Sequence, residues 1–154
     1  MTKFRGFEAV TGLLRENIIP QQPTRNDIQS CGYDFYYIYD DTTVIYPEET
    51  VKIKSGLKSY MLPDERLEIN TRSGNGVNKN IVIANTIGWI DASYYNNKDN
   101  EGEIIVALRN EGTNPFTIKK GDRYCQVCWS KYLVADNDIV VNEQRIGGLG
   151  SSGN

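Results

Sequence analysis

The stretch Asn85–Tyr94 contains residue types that could carry out hydrolytic chemistry. It places Asp91 three residues before Tyr94, after an apolar run that begins at Ile81. A carboxylate is a common general base, and Gly88 within the run predicts a strand that turns at the glycine and presents both side chains together. The stretch therefore predicts the floor of a binding pocket.

Histidine is absent from all 154 residues, and this absence narrows the chemistry. A Ser-His-Asp triad, a Cys-His protease and a histidine metal site are all excluded. A general base must then be a carboxylate or, less commonly, a lysine, tyrosine or cysteine side chain.

The three cysteines, Cys31, Cys125 and Cys128, could suggest zinc or redox chemistry, because the last two form a C-x-x-C pair. Their surroundings predict a strand, however, and residues three apart on a strand face opposite sides. The sequence has no second pair and no histidine to complete four zinc ligands. We therefore expect reduced thiols without a metal.

The composition indicates one globular, β-rich domain. Ten tyrosines and many Val, Ile and Thr residues favour strands. A net charge of -3 gives no general attraction to nucleic acid. No apolar run approaches the length of a membrane span, and charged residues interrupt the N-terminus, so we expect a cytoplasmic protein that binds neither nucleic acid nor membrane.

Short alternating strands at roughly 8–12-residue spacing predict an all-β sandwich or barrel. The expected strands are Phe4–Val10, Thr42–Ile45, Thr50–Lys54, Arg66–Asn70, Glu103–Arg109, Phe116–Lys119 and Tyr124–Leu133. Residues 74–80 could form a loop or one short helix, and no amphipathic helix of three turns is expected.

Four further motifs flank the stretch: Gly32-Tyr33-Asp34, Arg72-Ser73-Gly74, Gly121-Asp122-Arg123 with Gln126, and the Gly/Ser-rich segment behind Arg145. Backbone N–H groups, hydroxyls and arginines are the groups that bind phosphate. In order and content the five motifs closely resemble those of trimeric deoxyuridine triphosphatases (dUTPases). The resemblance runs over nearly the whole chain, from Ser30 to Gly153.

The resemblance implies a jelly-roll β-barrel over residues 1–141 and a flexible Gly-rich C-terminal arm over residues 142–154. It also implies a homotrimer, in which two further copies of the chain share the active sites and each arm closes the site of another subunit. The implied reaction converts dUTP and water to dUMP and pyrophosphate, with Mg²⁺ as the cofactor on the triphosphate. This reaction keeps uracil out of DNA and supplies dUMP for dTMP synthesis.

The resemblance further implies roles for individual residues. Asp91 matches the aspartate that activates water, and Tyr94 matches the tyrosine that packs under the deoxyribose. Asp34 is expected beside metal-bound water rather than as a direct ligand. The remaining positions for the uracil and sugar are Asn85, Gly88, Ile90, Ile105 and Leu149. The positions for the phosphates are Arg72, Ser73, Gly74, Gln126, Arg145, Gly150, Ser151 and Ser152.

The chain departs from the family pattern in four places. Thr71 replaces a usual proline, Leu149 replaces a phenylalanine over the uracil, and the arm is one residue shorter than a common form. The fourth departure is a polar insertion, Tyr95–Asn100, directly after Tyr94. We expect this insertion to be an exposed loop that could carry a partner contact.

Two other interpretations stay open. A dCTP deaminase shares the barrel but needs a glutamate and a second arginine where this chain has Ala107 and Val77. A non-catalytic β-barrel that binds a regulatory protein partner would also agree with the composition. Hydrolysis of dUTP accounts for all five motifs and is the function that the sequence favours.

Overall fold

The computed structural model describes residues 2–142, and β-strands dominate it. The strands are β1 (Gly6–Ala9), β2 (Thr24–Arg25), β3 (Tyr33–Tyr36), β4 (Thr43–Ile45), β5 (Thr50–Lys54), β6 (Leu57–Tyr60), β7 (Glu65–Asn70), β8 (Ile81–Ile83), β9 (Gly88–Asp91), β10 (Ile105–Asn110), β11 (Phe116–Ile118) and β12 (Arg123–Lys131). The expected all-β fold class is confirmed.

Helical structure is limited to short pieces between the strands. These are α1 (Thr11–Arg15), α2 (Ser73–Lys79) and one 3-10 turn at Ala92–Tyr94. Residues 74–80 thus belong largely to a short helix, one of the two alternatives that the sequence left open. Over residues 2–142 no helix has the length and apolar character needed to cross a membrane.

In several strands, buried side chains alternate with side chains that are only partly buried. In β7, Leu67 and Ile69 are buried, whereas Arg66 and Glu68 lie on the other, partly exposed face. The same alternation runs along β10. A period of two therefore sets which face of each strand meets the core.

The strands pair into four antiparallel sheets. The largest has the order β2-β3-β12-β7-β9, and a three-stranded sheet has the order β5-β10-β8. The pairs β1-β6 and β11-β4 complete the described strands. The inner faces share one apolar cluster, which includes Phe35, Leu67, Ile69, Ile81, Ile83, Val106, Leu108 and Val127.

Strand β6 was not predicted. Its sequence, Leu57-Lys58-Ser59-Tyr60, shows no alternation, and Lys58 and Ser59 are buried together with Leu57. Lys58 is covered because its Nζ donates a hydrogen bond to Asn96 Oδ1 at 2.7 Å. A partner 38 residues away explains the burial of this lysine, and no local pattern indicates it.

The prediction that Tyr95–Asn100 is an exposed loop holds for Asn96, Lys98 and Asp99, which are exposed, but not for the whole segment. Asn97 is only 7% exposed, and the Tyr95 hydroxyl donates to the carboxylate of Glu8 on β1. Side-chain hydrogen bonds fix this polar segment against the β1-β6 pair. Only part of it, including Lys98 and Asp99, faces solvent.

Candidate active site

An apolar cavity of about 270 Å³ opens beside the turn between β8 and β9. Four of the residues predicted to meet the base and sugar line it: Asn85, Gly88, Ile90 and Ile105. Its other lining residues are Ile69, Ile83, Ala84, Trp89, Val106 and Ala107. The cavity has room for a small planar ring and presents mostly hydrocarbon to it.

The cavity exists because β8 and β9 separate. β8 pairs with β10, whereas β9 pairs with β7 in the larger sheet. The two strands therefore do not pair with each other across the turn. Residues 84–87 cross from one sheet to the other, and the space between the sheet edges becomes the pocket.

The turn itself lies before Gly88, so the prediction of a turn at this glycine was wrong. Thr86 has a φ of 71°, and the Thr86 N–H donates to Ile83 O at 2.8 Å. Gly88 begins β9 opposite Ile69, where an added Cβ would lie 3.0 Å from Ile69 Cβ. The glycine permits close packing of β9 on β7.

Asp91 ends β9 and is exposed, directly after the residues that line the apolar cavity. Its backbone partner on β7 is Arg66. The Arg66 guanidinium donates to Glu68 Oε1 at 2.7 Å and lies 4.6 Å from the centre of the Trp89 ring. Asp91 thus directly follows Ile90, which lines the cavity, and its side chain lies on the same face of β9 as that of Trp89.

Tyr94 lies in the hydrophobic core and is 3% exposed. Its hydroxyl donates to Glu103 O at 3.1 Å and accepts a hydrogen bond from Asn100 Nδ2 at 2.9 Å. The expectation that Asp91 and Tyr94 are presented together is therefore only partly met. The 3-10 turn that begins after Asp91 sends the tyrosine inward while the aspartate stays at the surface.

A second, polar cavity of about 140 Å³ collects the motifs expected to bind phosphate. Arg72, Ser73 and Gln126, which are expected at the phosphates, line it together with Asp34, which is expected beside metal-bound water. Gly32, Arg123, Asn26 and Ser30 complete the lining. An adjoining polar cavity of about 300 Å³ shares Arg72 and Arg123 with it.

Asp34 holds the two arginines of this cavity. Arg72 Nε lies 2.8 Å from Asp34 Oδ1, and Arg123 NH1 lies 3.2 Å from Oδ2. The Asp34 side chain is 10% exposed, and those of Arg72 and Arg123 are 28% and 44% exposed. One carboxylate thus orients two guanidinium groups, which still present donors to a ligand.

Gly32, directly before β3, leaves room for the Gln126 side chain. An added Cβ on Gly32 would lie 2.7 Å from Gln126 Oε1, so a larger residue there would displace the end of this side chain. Gln126 Nε2 donates to Thr71 O at 3.3 Å, and Thr71 Oγ1 donates to Ile81 O at 2.9 Å. Thr71 thereby connects the end of β7 to β8, a bond that the usual proline could not make.

Loop 25–30 forms the third wall of the polar cavity, through Asn26 and Ser30. Asp27 shapes it by accepting hydrogen bonds from the Ser30 hydroxyl at 2.7 Å and the Gln29 N–H at 2.9 Å. These bonds, the Ser30 hydroxyl first, lower the pKa of Asp27 to about 2. Neither Asn26 nor Ser30 was predicted, because a short polar loop carries no distinctive pattern.

Six other predicted residues either do not line the polar cavity or lie outside the residues that the structure describes. Gly74, in α2, does not line the polar cavity, and nothing lies within 4 Å of a Cβ built on it. The sequence analysis gave Arg123 as part of a motif without a role. Its position beside Asp34 makes it part of the polar cavity. The predicted positions Arg145, Leu149, Gly150, Ser151 and Ser152 lie outside the described residues.

The residues of this site fit a metal ion carried by the substrate. Over residues 2–142, no three His, Cys, Asp or Glu residues lie close enough to hold a metal ion. Both oxygens of Asp34 already face arginines. Mg²⁺ commonly retains several waters and binds substrate phosphates with few protein ligands, so this donor set suits a metal–triphosphate complex better than a metal bound by protein alone.

Comparisons with known proteins agree with this geometry. A family model described as dUTPase matches residues 20–153. The deoxyuridine 5'-triphosphate nucleotidohydrolase of Lactococcus lactis is 40% identical over 153 residues, which cover 98% of this chain and 99% of that protein. The Haemophilus influenzae protein of the same name is 35% identical over 136 residues, covering 85% and 86%.

Solved structures show the same similarity. The dUTPase from Streptococcus mutans superposes with a TM-score of 0.73 at 32% identity, covering 86% of this chain and 99% of that chain. The dUTPase of Staphylococcus bacteriophage 80alpha superposes with a TM-score of 0.71 at 18% identity, covering 94% and 100%. At that low identity the second match shows a common fold.

Proposed function

Since this chain belongs to the dUTPase family and hydrolyses dUTP to dUMP and pyrophosphate, we propose that Asp91 activates the attacking water and that two cavities from different subunits hold the substrate. The apolar cavity takes the uracil, and the polar cavity takes the triphosphate. The observation that carries this proposal is that two cavities of matching chemistry share no lining residue.

Uracil binds against the apolar cavity, where the backbone of residues 84–88 and the side chain of Asn85 meet its polar edge. Hydrogen bonds there reject cytosine, whose donors and acceptors are reversed. Each buried group left unpaired by such a mismatch costs about 1–3 kcal/mol. Ala107 lines the same cavity and has no acidic group, so the residue that a deaminase would need at this place is missing.

Asp91 accepts a proton from a water molecule that attacks the α-phosphorus. Its exposed place directly after the residues that line the base pocket suits a base that must reach beyond the sugar. A carboxylate that also orients the water in line with the leaving pyrophosphate lowers the entropic part of the activation free energy of hydrolysis. Tyr94 packs beneath the deoxyribose, where a 2′-hydroxyl would clash with its ring.

Arg72, Ser73 and Gln126 bind the phosphates, and Arg123 joins them. Asp34 keeps both guanidinium groups directed into the cavity. Guanidinium groups suit phosphate because their planar donors match two oxygens at once. Gly74 would contribute through its backbone, and the predicted contact between Asp34 and metal-bound water stays a prediction.

Mg²⁺ is proposed as the cofactor. The dUTPase of phage phi11, with which this chain shares a fold at 20% identity, coordinates a structural Mg(II) ion. When bound, Mg²⁺ would neutralise charge on the triphosphate and fix its shape. The protein's own part is to orient the phosphates through Arg72, Ser73, Arg123 and Gln126.

A homotrimer with shared sites is proposed for the assembly, and the cytoplasm for its location. The polar cavity of one subunit would then face the apolar cavity of another. This arrangement would join the two halves of the active site, which lie apart in a single chain. Residues 142–154 would form the arm that closes the site. Within it, Arg145, Gly150, Ser151 and Ser152 would grip the terminal phosphate, and Leu149 would cover the uracil.

Pyrophosphate release from dUTP, dCTP and UTP in the presence of Mg²⁺ tests the proposal. The wild-type protein should act on dUTP with strong preference. Asp91→Asn should lower kcat by about 10²–10⁴-fold, the usual contribution of a general base, without loss of the folded assembly. Asp41→Asn, at another exposed position, is the matched control and should keep the wild-type rate. Sustained turnover by Asp91→Asn would show that another group is the base.

A further inference from the structure

The segment after Tyr94 is a compact loop, here called the 95–102 loop (residues 95–102). Its ends meet, because the Asn96 N–H donates to Glu101 O at 2.9 Å and the Glu101 N–H donates to Asn97 O at 3.0 Å. Gly102 closes it with a φ of 83°, at a point where an added Cβ would lie 2.6 Å from Tyr94 O. The loop is thus folded directly onto the backbone of Tyr94.

Two asparagines of the loop bind Tyr94 from both ends. Asn97 Nδ2 donates to Tyr94 O at 2.8 Å, and Asn100 Nδ2 donates to the Tyr94 hydroxyl at 2.9 Å. Asn97 Nδ2 also donates to Asn100 Oδ1 at 2.8 Å, so the two amides support each other. The backbone and the ring of Tyr94 are therefore held by one hydrogen-bonded unit.

The opposite side of the loop is fixed to the N-terminal elements. Thr11, at the start of α1, donates through its N–H to Glu101 Oε2 at 2.7 Å and through its hydroxyl to Oε1. Lys58 on β6 donates to Asn96 Oδ1. With both sides bound, the loop holds Asn100 at a fixed distance from the tyrosine ring.

From these contacts we infer that Asn100 is a positioning residue for sugar discrimination: it fixes the Tyr94 hydroxyl, and thereby the height of the ring under the sugar. The inference rests on the proposed role of Tyr94 beneath the deoxyribose. Only 3% of Tyr94 is exposed, so a small movement of the ring changes the surface that a 2′-hydroxyl would meet. The polar insertion would then improve selection against ribonucleotides.

The measured quantity is the selectivity ratio, kcat/KM for dUTP divided by kcat/KM for UTP. Asn100→Asp replaces the amide donor by an acceptor, so the single proton of the Tyr94 hydroxyl can no longer serve both Glu103 O and residue 100. The variant keeps an oxygen for Asn97 Nδ2 and the Gly102 N–H, which lies 3.1 Å from Asn100 Oδ1. We expect the ratio to fall about 2- to 10-fold, the range for one neutral hydrogen bond. Asn100→Ala should lower it at least as far, and thermal unfolding checks that both variants are folded.

A double-mutant cycle separates positioning from general loosening of the loop. Tyr94→Phe removes the hydroxyl that Asn100 binds, so Asn100→Asp should have no further effect on the ratio in the Tyr94→Phe background. Thr11→Ala weakens the far side of the same loop but keeps the Asn100–Tyr94 hydrogen bond, so it should lower the ratio less than Asn100→Asp does. Independent, multiplicative effects of Asn100→Asp and Tyr94→Phe would overturn the inference, as would an unchanged ratio in Asn100→Asp.

Tyr94→Ala distinguishes the two levels of the proposal. If Tyr94→Ala lowers the ratio and the Asn100 variants do not, the positioning role fails while the role of Tyr94 stands. If Tyr94→Ala leaves the ratio unchanged, Tyr94 does not select the sugar, and the inference falls with it. Both roles are supported if the ratio falls in Tyr94→Ala and in both folded Asn100 variants, and if Asn100→Asp has no further effect in the Tyr94→Phe background.

Discussion

Asp34 and Asp91 are both carboxylates of the predicted site, but their surroundings suit them to different roles. Asp34 is buried between Arg72 and Arg123, so its charge is used to hold two cations. Asp91 is exposed at the end of β9 beside the base pocket. The first suits an orienting role and the second suits proton transfer, because a base must reach its water molecule.

Arg123 offers a test of the phosphate cavity at the scale of one residue. Arg123→Ala should raise KM for dUTP by about 10- to 100-fold, the loss of one or two charge-assisted hydrogen bonds. The effect on kcat should be smaller. Steady-state kinetics check this, with Arg15→Ala, an exposed arginine on α1, as the control. An unchanged KM would remove Arg123 from the site.

Two glycines of the predicted site differ in the space around them, and alanine substitutions should separate them. Gly88→Ala should lower the free energy of unfolding by roughly 1–3 kcal/mol, because its Cβ would be forced against Ile69. Gly74→Ala meets no atom within 4 Å and should fold normally. Urea unfolding of both variants provides the comparison.

Gly74→Ala also tests phosphate binding. If a phosphate approaches the backbone at Gly74, the added methyl group should reduce kcat/KM for dUTP while stability is kept. Equal destabilisation of the two alanine variants would contradict the packing explanation for Gly88. Full activity of Gly74→Ala would remove Gly74 from the predicted phosphate residues.

At the scale of elements, the pocket depends on which sheet each strand joins. β8 and β9 are neighbours in sequence, yet β8 pairs with β10 and β9 pairs with β7. The apolar run and glycine could equally belong to a hairpin, which would close the space that the base needs. Gly88 permits the close approach of β9 to Ile69 on β7 in the larger sheet.

Loop 25–30 should show a defined dependence on pH. Its hydrogen bonds lower the folded-state pKa of Asp27 from 3.8 to about 2. Because the folded-state pKa is the lower one, the ionised carboxylate stabilises the fold fully at pH values above the unfolded-state pKa. This contribution is lost as the pH falls through 4 towards 2. Wild type should therefore exceed Asp27→Asn in stability near neutral pH, and the difference should shrink at low pH.

Urea unfolding of wild type and Asp27→Asn at pH 6 and pH 2.5 checks this expectation. Asp136→Asn, at an exposed position, controls for loss of a surface charge. If the stability difference between wild type and Asp27→Asn is the same at both pH values, the ionised carboxylate of Asp27 is not its source.

At the scale of the whole molecule, the proposed trimer explains why the two cavities of one chain stay apart. The base cavity lies between the β7-β9 and β8-β10 edges, and the phosphate cavity lies among β3, β12 and the start of α2. A closed ring of subunits, in which different surfaces meet, can bring such halves together three times. Each subunit then depends on its neighbours for activity.

Subunit complementation tests that arrangement. Asp91→Asn and Arg72→Ala, each inactive or nearly so alone, should regain about a quarter of the wild-type activity when co-expressed in equal amounts, because random ring assembly restores that fraction of intact sites. Co-expression of Asp91→Asn with the Asp91→Asn/Arg72→Ala double variant should restore none. Absence of recovery in stable mixed trimers would place each site within one subunit.

The sequence by itself determined the strand-rich fold class, the need for a carboxylate base, and the identity of four of the ten residues that line the apolar cavity and four of the eight that line the polar one. These features could be predicted because alternation, the absence of histidine and short motifs are local properties of a chain. Asn85, Gly88, Ile90 and Ile105 accordingly line one cavity, and Arg72, Ser73 and Gln126 line the other.

Only the tertiary structure decided how these groups meet. Arg123 reaches Asp34 across 89 positions of the chain, Lys58 is covered by Asn96, and Thr11 binds Glu101 across 90 positions. Such contacts depend on sheet order and on loops packed from elsewhere, which local patterns do not encode. For the same reason the stretch Asn85–Tyr94 became an open crossing between two sheets, with its tyrosine turned into the core, instead of a hairpin that turns at its glycine.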